Sequence, residues 1–379
     1  MSIQGDVLST TIASTDARVV AVEAIPVALP LRRSVGFASG TITIADNVLV
    51  RVYSDAGLVG CAEAQPRPYT YGETQGSILR AVRDWFAPRL EGVDPVAHER
   101  ARAVCAGLSG NRCARAAVEV ALADLAGQLV GVSCGRMLGG ASDSLPVACM
   151  ISFGTPEEMA QDAVALHERL GITTFKVKVG RDVALDVASV RAVREAVRDA
   201  TLYVDANRGW TLAQAREAQP ALLELGVQAI EEPLDLADAA GRQQLSEASP
   251  IPIGGDESCL SLTDVAREVA GPVSQVSIKI ARTAFVESAA ILAYCRATAT
   301  RAIIGSQYEG ALGAWASIAF AASDAELATT PIEAANFLDL AGDLVTPPEI
   351  VDGRVTVPDQ PGLGVLVDPG ALSRYRSDG

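Results

Sequence analysis

The stretch "TTFKVKVG" (residues 173–180) places two lysines, Lys176 and Lys178, two positions apart in a run that otherwise reads as a buried strand. Alternation along a strand puts Phe175, Val177 and Val179 on one face and both lysines on the other. On an exposed antiparallel edge such lysines merely discourage aggregation, and taken alone that is the commoner circumstance. The flanking sequence argues otherwise. From "LPVACMIS" onward, short apolar runs alternate with amphipathic helical patterns. "FKVKV", "TLYVDA", "QAIEEP", "PIGGDE", "QVSIKI", "AIIGSQ" and "TPIEAA" read as strands, separated by helices such as "DVALDVASVRAVREAVR" and "TLAQAREAQPALLEL". Strict alternation predicts parallel βαβ units. Starting from Lys178, a charged residue recurs at or beside each strand end: Asp205, Glu231, Asp256, Lys279 and Glu309 follow at intervals of 27, 26, 25, 23 and 30 positions. About 250 residues build the eight units of a (β/α)8 barrel, so each interval is one unit and the six residues share one height, the C-terminal face. Parallel barrel strands are covered on both faces, which leaves the barrel mouth as the place for the lysine side of "FKVKV". A doubly wound sheet would need a Gly-rich turn after an early strand, and no GxGxxG opens a helix.

Upstream, residues 1–17 are small and polar and are expected to form a flexible tail. "VVAVEAIPVALPL" and "NVLVRVYSDAGLVGCAEA" alternate as antiparallel strands, with "SDAG" as a turn, and "SILRAVRDWFAPRL" and "RCARAAVEVALADLAGQLVG" have helical spacing. The first 140 residues therefore read as an α+β module. With 31 basic against 46 acidic residues the net charge is −15, which repels phosphate backbones and disfavours nucleic acid as a partner. An anionic small molecule would need a local cluster of cations. Only two histidines are present, His98 and His167, both in polar helical surroundings, so histidine chemistry has little to draw on. Seven scattered cysteines without CxxC spacing read as reduced thiols of a cytoplasmic protein. The opening "MSIQGDVLSTTIASTDAR" has no basic stretch followed by an apolar core, and no apolar run is long enough to span a bilayer, so no membrane association is expected.

Asp205 in "VDANRGW", Glu231 in "IEEP" and Asp256 in "GGDES" would converge on one point. Their mutual repulsion demands a cation, and hard oxygen ligands suit Mg2+ or Mn2+. Glu231 is preferred to Glu232 because only one of two successive strand residues faces the axis. Asn207 shares the face of Asp205 and would hold a ligand or substrate oxygen. Any one acid alone would read as a helix cap or a solvated loop residue, "DES" above all. Neighbouring ammonium groups and a nearby cation should lower a lysine's pKa toward the range useful for proton transfer. Lys279, from a strand several units further round, would face Lys178 across the mouth. Two amines flanking a carbon next to a carboxylate, with a cation stabilising the enediolate, point to proton transfer α to a carboxylate as the reaction class.

KxK, "VDAN", "IEEP", "GDES" and "IKIAR", in this order and spacing, resemble the muconate lactonizing enzyme subgroup of the enolase superfamily, over nearly the whole chain. "RRSVGFASG", "VLVRVYSDAGLVGCAEA" and "YGETQ" resemble that family's capping domain and closing loops. "SGNRCARAAVEVALAD" resembles the helix leading to the barrel, "SQYEGALGAWAS" the seventh-strand segment and "PGLGVLVD" the return to the cap. The resemblance implies a modified TIM barrel of (β/α)7β type at 141–345, an α+β capping domain at 18–140, and a C-terminal segment at 346–379 that completes the cap. It implies that Asp205, Glu231 and Asp256 hold one Mg2+ or Mn2+ per subunit and that Lys178 and Lys279 are the acid/base pair. Lys176 would assist Lys178 and contact the carboxylate of a small-molecule substrate, and Glu309 would hydrogen-bond that substrate. The loop from Gly36 to Ser39, with Phe37, and Tyr71 would cover it, although Phe37 and Tyr71 serve equally well as packing residues. Relatives commonly form octamers, so a homo-oligomer is implied.

The same site in this subgroup performs lactonization, 1,1-proton transfer and β-elimination. "FASG" and "RPYTYGETQ" are closest to muconate cycloisomerases, which makes lactonization of cis,cis-muconate the expected reaction. Dipeptide epimerases tend to carry paired aspartates at the eighth strand, where this chain has "IEAANFLD" with Glu333. Many relatives follow the sixth-strand lysine with Gly-Gly, whereas Arg282, Thr283 and Ala284 stand here, so the adjacent pocket wall should differ. A racemase or epimerase of N-acylated amino acids or dipeptides is the second reading. An acid-sugar dehydratase is third, because those relatives place a histidine on the second catalytic strand. A non-catalytic homologue would lack a lysine or metal carboxylate, and none is missing.

Overall fold

The computed structural model describes residues 16–378 apart from Ser39, so most of the predicted tail and the far end of the predicted covering loop lie outside the described residues. Strands β1 (Val19–Phe37), β2 (Gly40–Ser54) and β3 (Val59–Ala64) form an antiparallel sheet in that order. Its fully buried residues, Val27, Leu29, Val48, Val50 and Val52 among them, belong to the main hydrophobic core together with the helix Arg112–Val130. Gly60 permits that helix to press on β3, since a Cβ there would lie 2.1 Å from the Ala121 carbonyl. The predicted covering loop is the tip of the β1–β2 ribbon, with Val35 opposite Ile42 and Phe37 opposite Gly40. A register shift between Pro30 and Val35 hides this continuation from a simple alternation pattern.

The next strand, β4 (Ser144–Pro146), belongs to a small sheet with two late strands. Seven parallel strands then curl into a half-barrel: β5 (Cys149–Ile151), β6 (Thr174–Lys178), β7 (Thr201–Asp205), β8 (Val227–Glu231), β9 (Ile253–Gly255), β10 (Gln275–Ile278) and β11 (Arg301–Ile304). The predicted strand "TPIEAA" is absent as such. Ile332 makes only a bridge to Val147, while Glu333 N donates to Ile304 O at 3.0 Å. Pro331 has no N–H to give a ladder, and a 3-10 turn begins at Asn336, so the seam closes with minimal pairing. The intervening helices start on side-chain caps, as at Thr155 with Glu158 and Thr211 with Gln214.

The late strands are β12 (Ile350–Val351) and β13 (Arg354–Thr356), and β13 pairs with β4. Beyond them, Leu363 N donates to Asp124 Oδ1 at 2.7 Å, and Arg376 bridges Val27 of β1. No helix among the described residues is long and apolar enough to cross a membrane. All seven cysteines are free thiols.

Sheet and barrel meet at the helix Ala311–Ala321, whose N-cap, Gly310, has no side chain to satisfy the first-turn amides. Glu63, near the end of β3, supplies the missing acceptors: its Oε1 and Oε2 accept from Gly310 N and Gly313 N, each at 3.1 Å. Asp343 Oδ2 accepts from Ala311 N at 2.8 Å. Burial, followed by the charge of Asp343, pushes the Glu63 carboxyl up to about 7 from an ordinary 4.5. A carboxyl raised by folding stabilises most below its unfolded pKa, and that contribution is lost as pH rises through about 7. Glu63→Gln should therefore flatten the decline in unfolding free energy over this window by roughly 3 kcal/mol. Denaturant titrations at several pH values test this, and parallel curves for the two proteins would refute it.

Candidate active site

Lys178, Asp205 and Glu231 are successive register partners across β6, β7 and β8. Asp256 lies just past β9 and Lys279 just past β10. Equal strand spacing in the sequence thus becomes one ring of side chains at the strands' C-terminal ends. Every residue of β6 is buried, and Lys176 and Lys178 are only 2% and 6% exposed, so both ammonium groups depend on partners within the protein. Lys176 Nζ lies 2.9 Å from Glu231 Oε1, 2.8 Å from Glu333 Oε2 and 3.3 Å from Asp205 Oδ2. Lys178 Nζ donates to Asp205 Oδ2 and Asn207 Oδ1, both at 2.7 Å. Lys279 donates to Asp256 Oδ2. Gly305, after β11, keeps this corner open: a Cβ there would meet Ser277 Oγ at 2.0 Å and Lys279 Cε at 3.1 Å.

The chain turns sharply behind the acids. Asn207, Arg208 and Glu232 all have left-handed backbones, with φ of 41°, 66° and 37°. Such conformations cost about 1–2 kcal/mol each for non-glycine residues and are typical of functional sites. Glu232 points away from the ring and accepts from Asp256 N at 2.9 Å and from Ser258, fixing the "DES" turn.

Ligand oxygens of Asp205, Glu231 and Asp256 lie within 4.8 Å of one another. Glu231 Oε2 is buried and has no hydrogen-bond partner. Burial pushes the Glu231 carboxyl well above its ordinary value, so a nearby cation is what would keep it ionised. Three hard oxygen donors and an orphaned buried oxygen fit a divalent ion. Such an ion would supply positive charge to a substrate carboxylate and against the three acids.

For Lys176 and Lys279 the expected lowering of the pKa is not found in this arrangement of charges. Burial opposes the Lys176 ammonium, but Glu231, Glu333 and Asp205 outweigh it and hold the group well above its ordinary value. Lys279 is likewise raised, burial being outweighed by Asp256 and Tyr71. Asp205 shows the reciprocal effect: against burial, Lys178 and Lys176 hold it down at about 2.

A cavity of about 70 Å3 lies over this ring, bordered by Lys176, Lys178, Asn207, Asp256 and Lys279 and by Phe37 and Tyr71. The Phe37 ring centroid is 5.7 Å from Lys178 Nζ, and Tyr71 OH accepts from Arg282 Nη1 at 2.8 Å. Glu309 does not line the cavity. Tyr308 has φ of 67°, and the carboxylate of Glu309 folds back on its own loop to accept from Ser306 Oγ at 2.8 Å and Gln307 N at 2.7 Å.

Arg282 is 1% exposed and supports the site from beneath, donating to Asp256 Oδ1 at 2.6 Å and to Ser277 O at 2.9 Å. Ala284 follows with φ of 50°, a break after which Glu119 caps Phe285 N and Val286 N. Arg67, Glu257 and Tyr203 also belong to the site or its shell, although the sequence reading did not single them out. A charged residue inside the aromatic stretch "RPYTY" was the available signal for Arg67.

Residues 18–139 match the family described as mandelate racemase / muconate lactonizing enzyme, N-terminal domain, and residues 158–371 match enolase C-terminal domain-like proteins. The fold is similar to the structure of the muconate lactonizing enzyme from Mucobacterium smegmatis complexed with muconolactone. The TM-score is 0.93 at 39% identity, covering 95% of this chain and 100% of the other. The muconate cycloisomerase 1-2 of Acinetobacter lwoffii is 31% identical, over 96% of this chain and 97% of its own length. The L-Ala-D/L-Glu epimerase of Bacillus subtilis is 32% identical, over 92% of this chain and 97% of its own. Two matched domains that together span most of the chain, a shared fold and a ring of acids and lysines at the strand ends lead to one assignment: the protein belongs to the enolase superfamily, in its muconate lactonizing enzyme subgroup.

Proposed function

We propose that the protein is a muconate cycloisomerase, converting cis,cis-muconate to muconolactone with Mg2+ or Mn2+ held by Asp205, Glu231 and Asp256. The observation that carries this reading is the state of the acid beyond β11. Glu333 is placed to receive a dipeptide's ammonium group, but it already pairs with Lys176 at 2.8 Å and accepts from Tyr203 OH at 2.7 Å. Asp339, the other acid in "IEAANFLD", accepts from Tyr308 OH at 2.8 Å and is not on the cavity wall. A substrate that brings carboxylates and no ammonium group suits a cavity bordered by three lysines. The likeness to the muconolactone complex, at 39% identity against 30% for the Bacillus subtilis epimerase structure, supports the same choice.

In this reading one carboxylate of muconate attacks the double bond conjugated to the other. A C–O bond forms, the π electrons move into the second carboxylate as an enolate, and a lysine ammonium delivers its proton to the adjacent carbon. Lys178 or Lys279 is that donor, and solvent later restores its proton. Asn207 orients Lys178 through their 2.7 Å hydrogen bond. Lys176 balances charge on the substrate carboxylate, and Phe37 and Tyr71 keep water out. Incubating the purified protein with Mn2+ and cis,cis-muconate should consume the diene absorbance. A chelator should abolish turnover, and returning Mg2+ or Mn2+ should restore it. No change in absorbance, together with deuterium uptake by dipeptides or N-acyl amino acids in deuterated water, would overturn lactonization in favour of epimerisation.

A further inference from the structure

Arg67 differs from the other buried cations of the site. It is 8% exposed, borders the cavity and is held entirely by backbone carbonyls. Nη1 donates to Pro66 O at 2.6 Å, and Nη2 donates to Gln307 O at 2.5 Å and Tyr308 O at 3.1 Å. The neighbouring acid, Glu73, pairs with Arg67 only through the backbone, and its carboxylate is committed to Cys113 N and Ala114 N. Among the described residues no carboxylate forms an ion pair with this guanidinium. Arg282, equally buried, has Asp256. The acids on the cavity wall are paired as well: Asp256 with Lys279, Glu333 with Lys176, and Glu257 with Asn207 and, at 3.5 Å, Arg208.

A buried charge without a counter-ion is costly, and carbonyl dipoles compensate it only in part. A guanidinium has five N–H donors; two carbonyls on Nη2 and one on Nη1 leave the Nε hydrogen and one Nη1 hydrogen, each able to donate singly to an anion. We propose that Arg67 is the anchor for the second carboxylate of the substrate, making the enzyme selective for dicarboxylates. One substrate carboxylate lies at the acid and lysine ring, and the other supplies the anion that Arg67 lacks. Because Arg67 opens the segment that carries Tyr71 and grips the carbonyls of Gln307 and Tyr308, it also fixes the height of this anchor over the ring.

This assignment rests on the lactonization reading for the identity of the substrate, and two measurements separate the two. In the first, kcat/KM is compared for cis,cis-muconate and its monomethyl ester. Arg67→Met should lower the ratio of diacid to monoester about 100-fold, with Arg67→Lys intermediate. A purely structural role, bolting the segment to the barrel, would reduce both substrates alike and overturn the proposal. In the second, adipate and hexanoate are titrated calorimetrically into Mg2+-loaded protein, a readout that needs no turnover. Wild type should prefer adipate, and Arg67→Met should lose that preference. If muconate is not turned over but the adipate preference depends on Arg67, lactonization fails and the anchor stands. If muconate is turned over but Arg67→Met leaves both preferences unchanged, the anchor fails and lactonization stands.

Discussion

Lys279→Met should lower kcat for muconate lactonization by about 10²- to 10⁴-fold, the range expected when a positioned proton donor is removed. The effect should fall on kcat rather than KM, because the carboxylate contacts proposed for Lys176 and the acid ring would remain. The variant should also fold. Methionine preserves the length of the buried side chain, and Asp256 keeps its second cation through Arg282 Nη1 at 2.6 Å. Lys178→Met provides the comparison, since Asp205 retains Lys176 at 3.3 Å. The lysine that delivers the proton is the one whose loss slows deuterium incorporation at the product carbon in deuterated water. A decrease below about tenfold for both variants would remove lysine acid catalysis from the mechanism.

Glu231→Gln should abolish turnover to the limit of detection, a loss of about 10³-fold or more, because the lost charge stabilisation amounts to several kcal/mol. Glutamine keeps the shape and can still accept from Lys176, which lies 2.9 Å from Glu231 Oε1, so the metal-free protein should melt within a few degrees of wild type. What disappears is the charge at the position of the orphaned Oε2. Mn2+ titration followed by electron paramagnetic resonance should show weakened binding, and excess Mn2+ should rescue activity only in part. Full activity with unaltered Mn2+ binding would exclude Glu231 as a ligand.

The strand-end residues could be read from sequence because a βα unit consumes a nearly constant length of chain, so regular spacing translates into equal height. Choosing Glu231 over Glu232 followed from pleat geometry alone. Other features depended on contacts between distant segments. The seam at Ile332 departs from a strand because Pro331 and the turn at Asn336 limit pairing. Glu309 has the correct spacing, but the left-handed Tyr308 rotates it into its own loop. Arg67 acquires its meaning from carbonyls of residues 307 and 308, a relation with no local pattern. The pairing of the acid ring with Lys176 and Lys279, which raises both amines, was not legible because it depends on side-chain distances rather than on spacing along the chain.

The bridge between Val27 and Arg376, together with the hydrogen bond from Ser377 N to Pro26 O at 2.9 Å, ties one of the earliest described strands to the last described residues. During translation the β1–β2 ribbon leaves the ribosome long before its C-terminal partner exists. The outer edge of the roof that carries Phe37 therefore gains its partners only late, first at Leu340 and Ala341 and last at Arg376 and Ser377, and nascent chains should depend on chaperone protection over that interval.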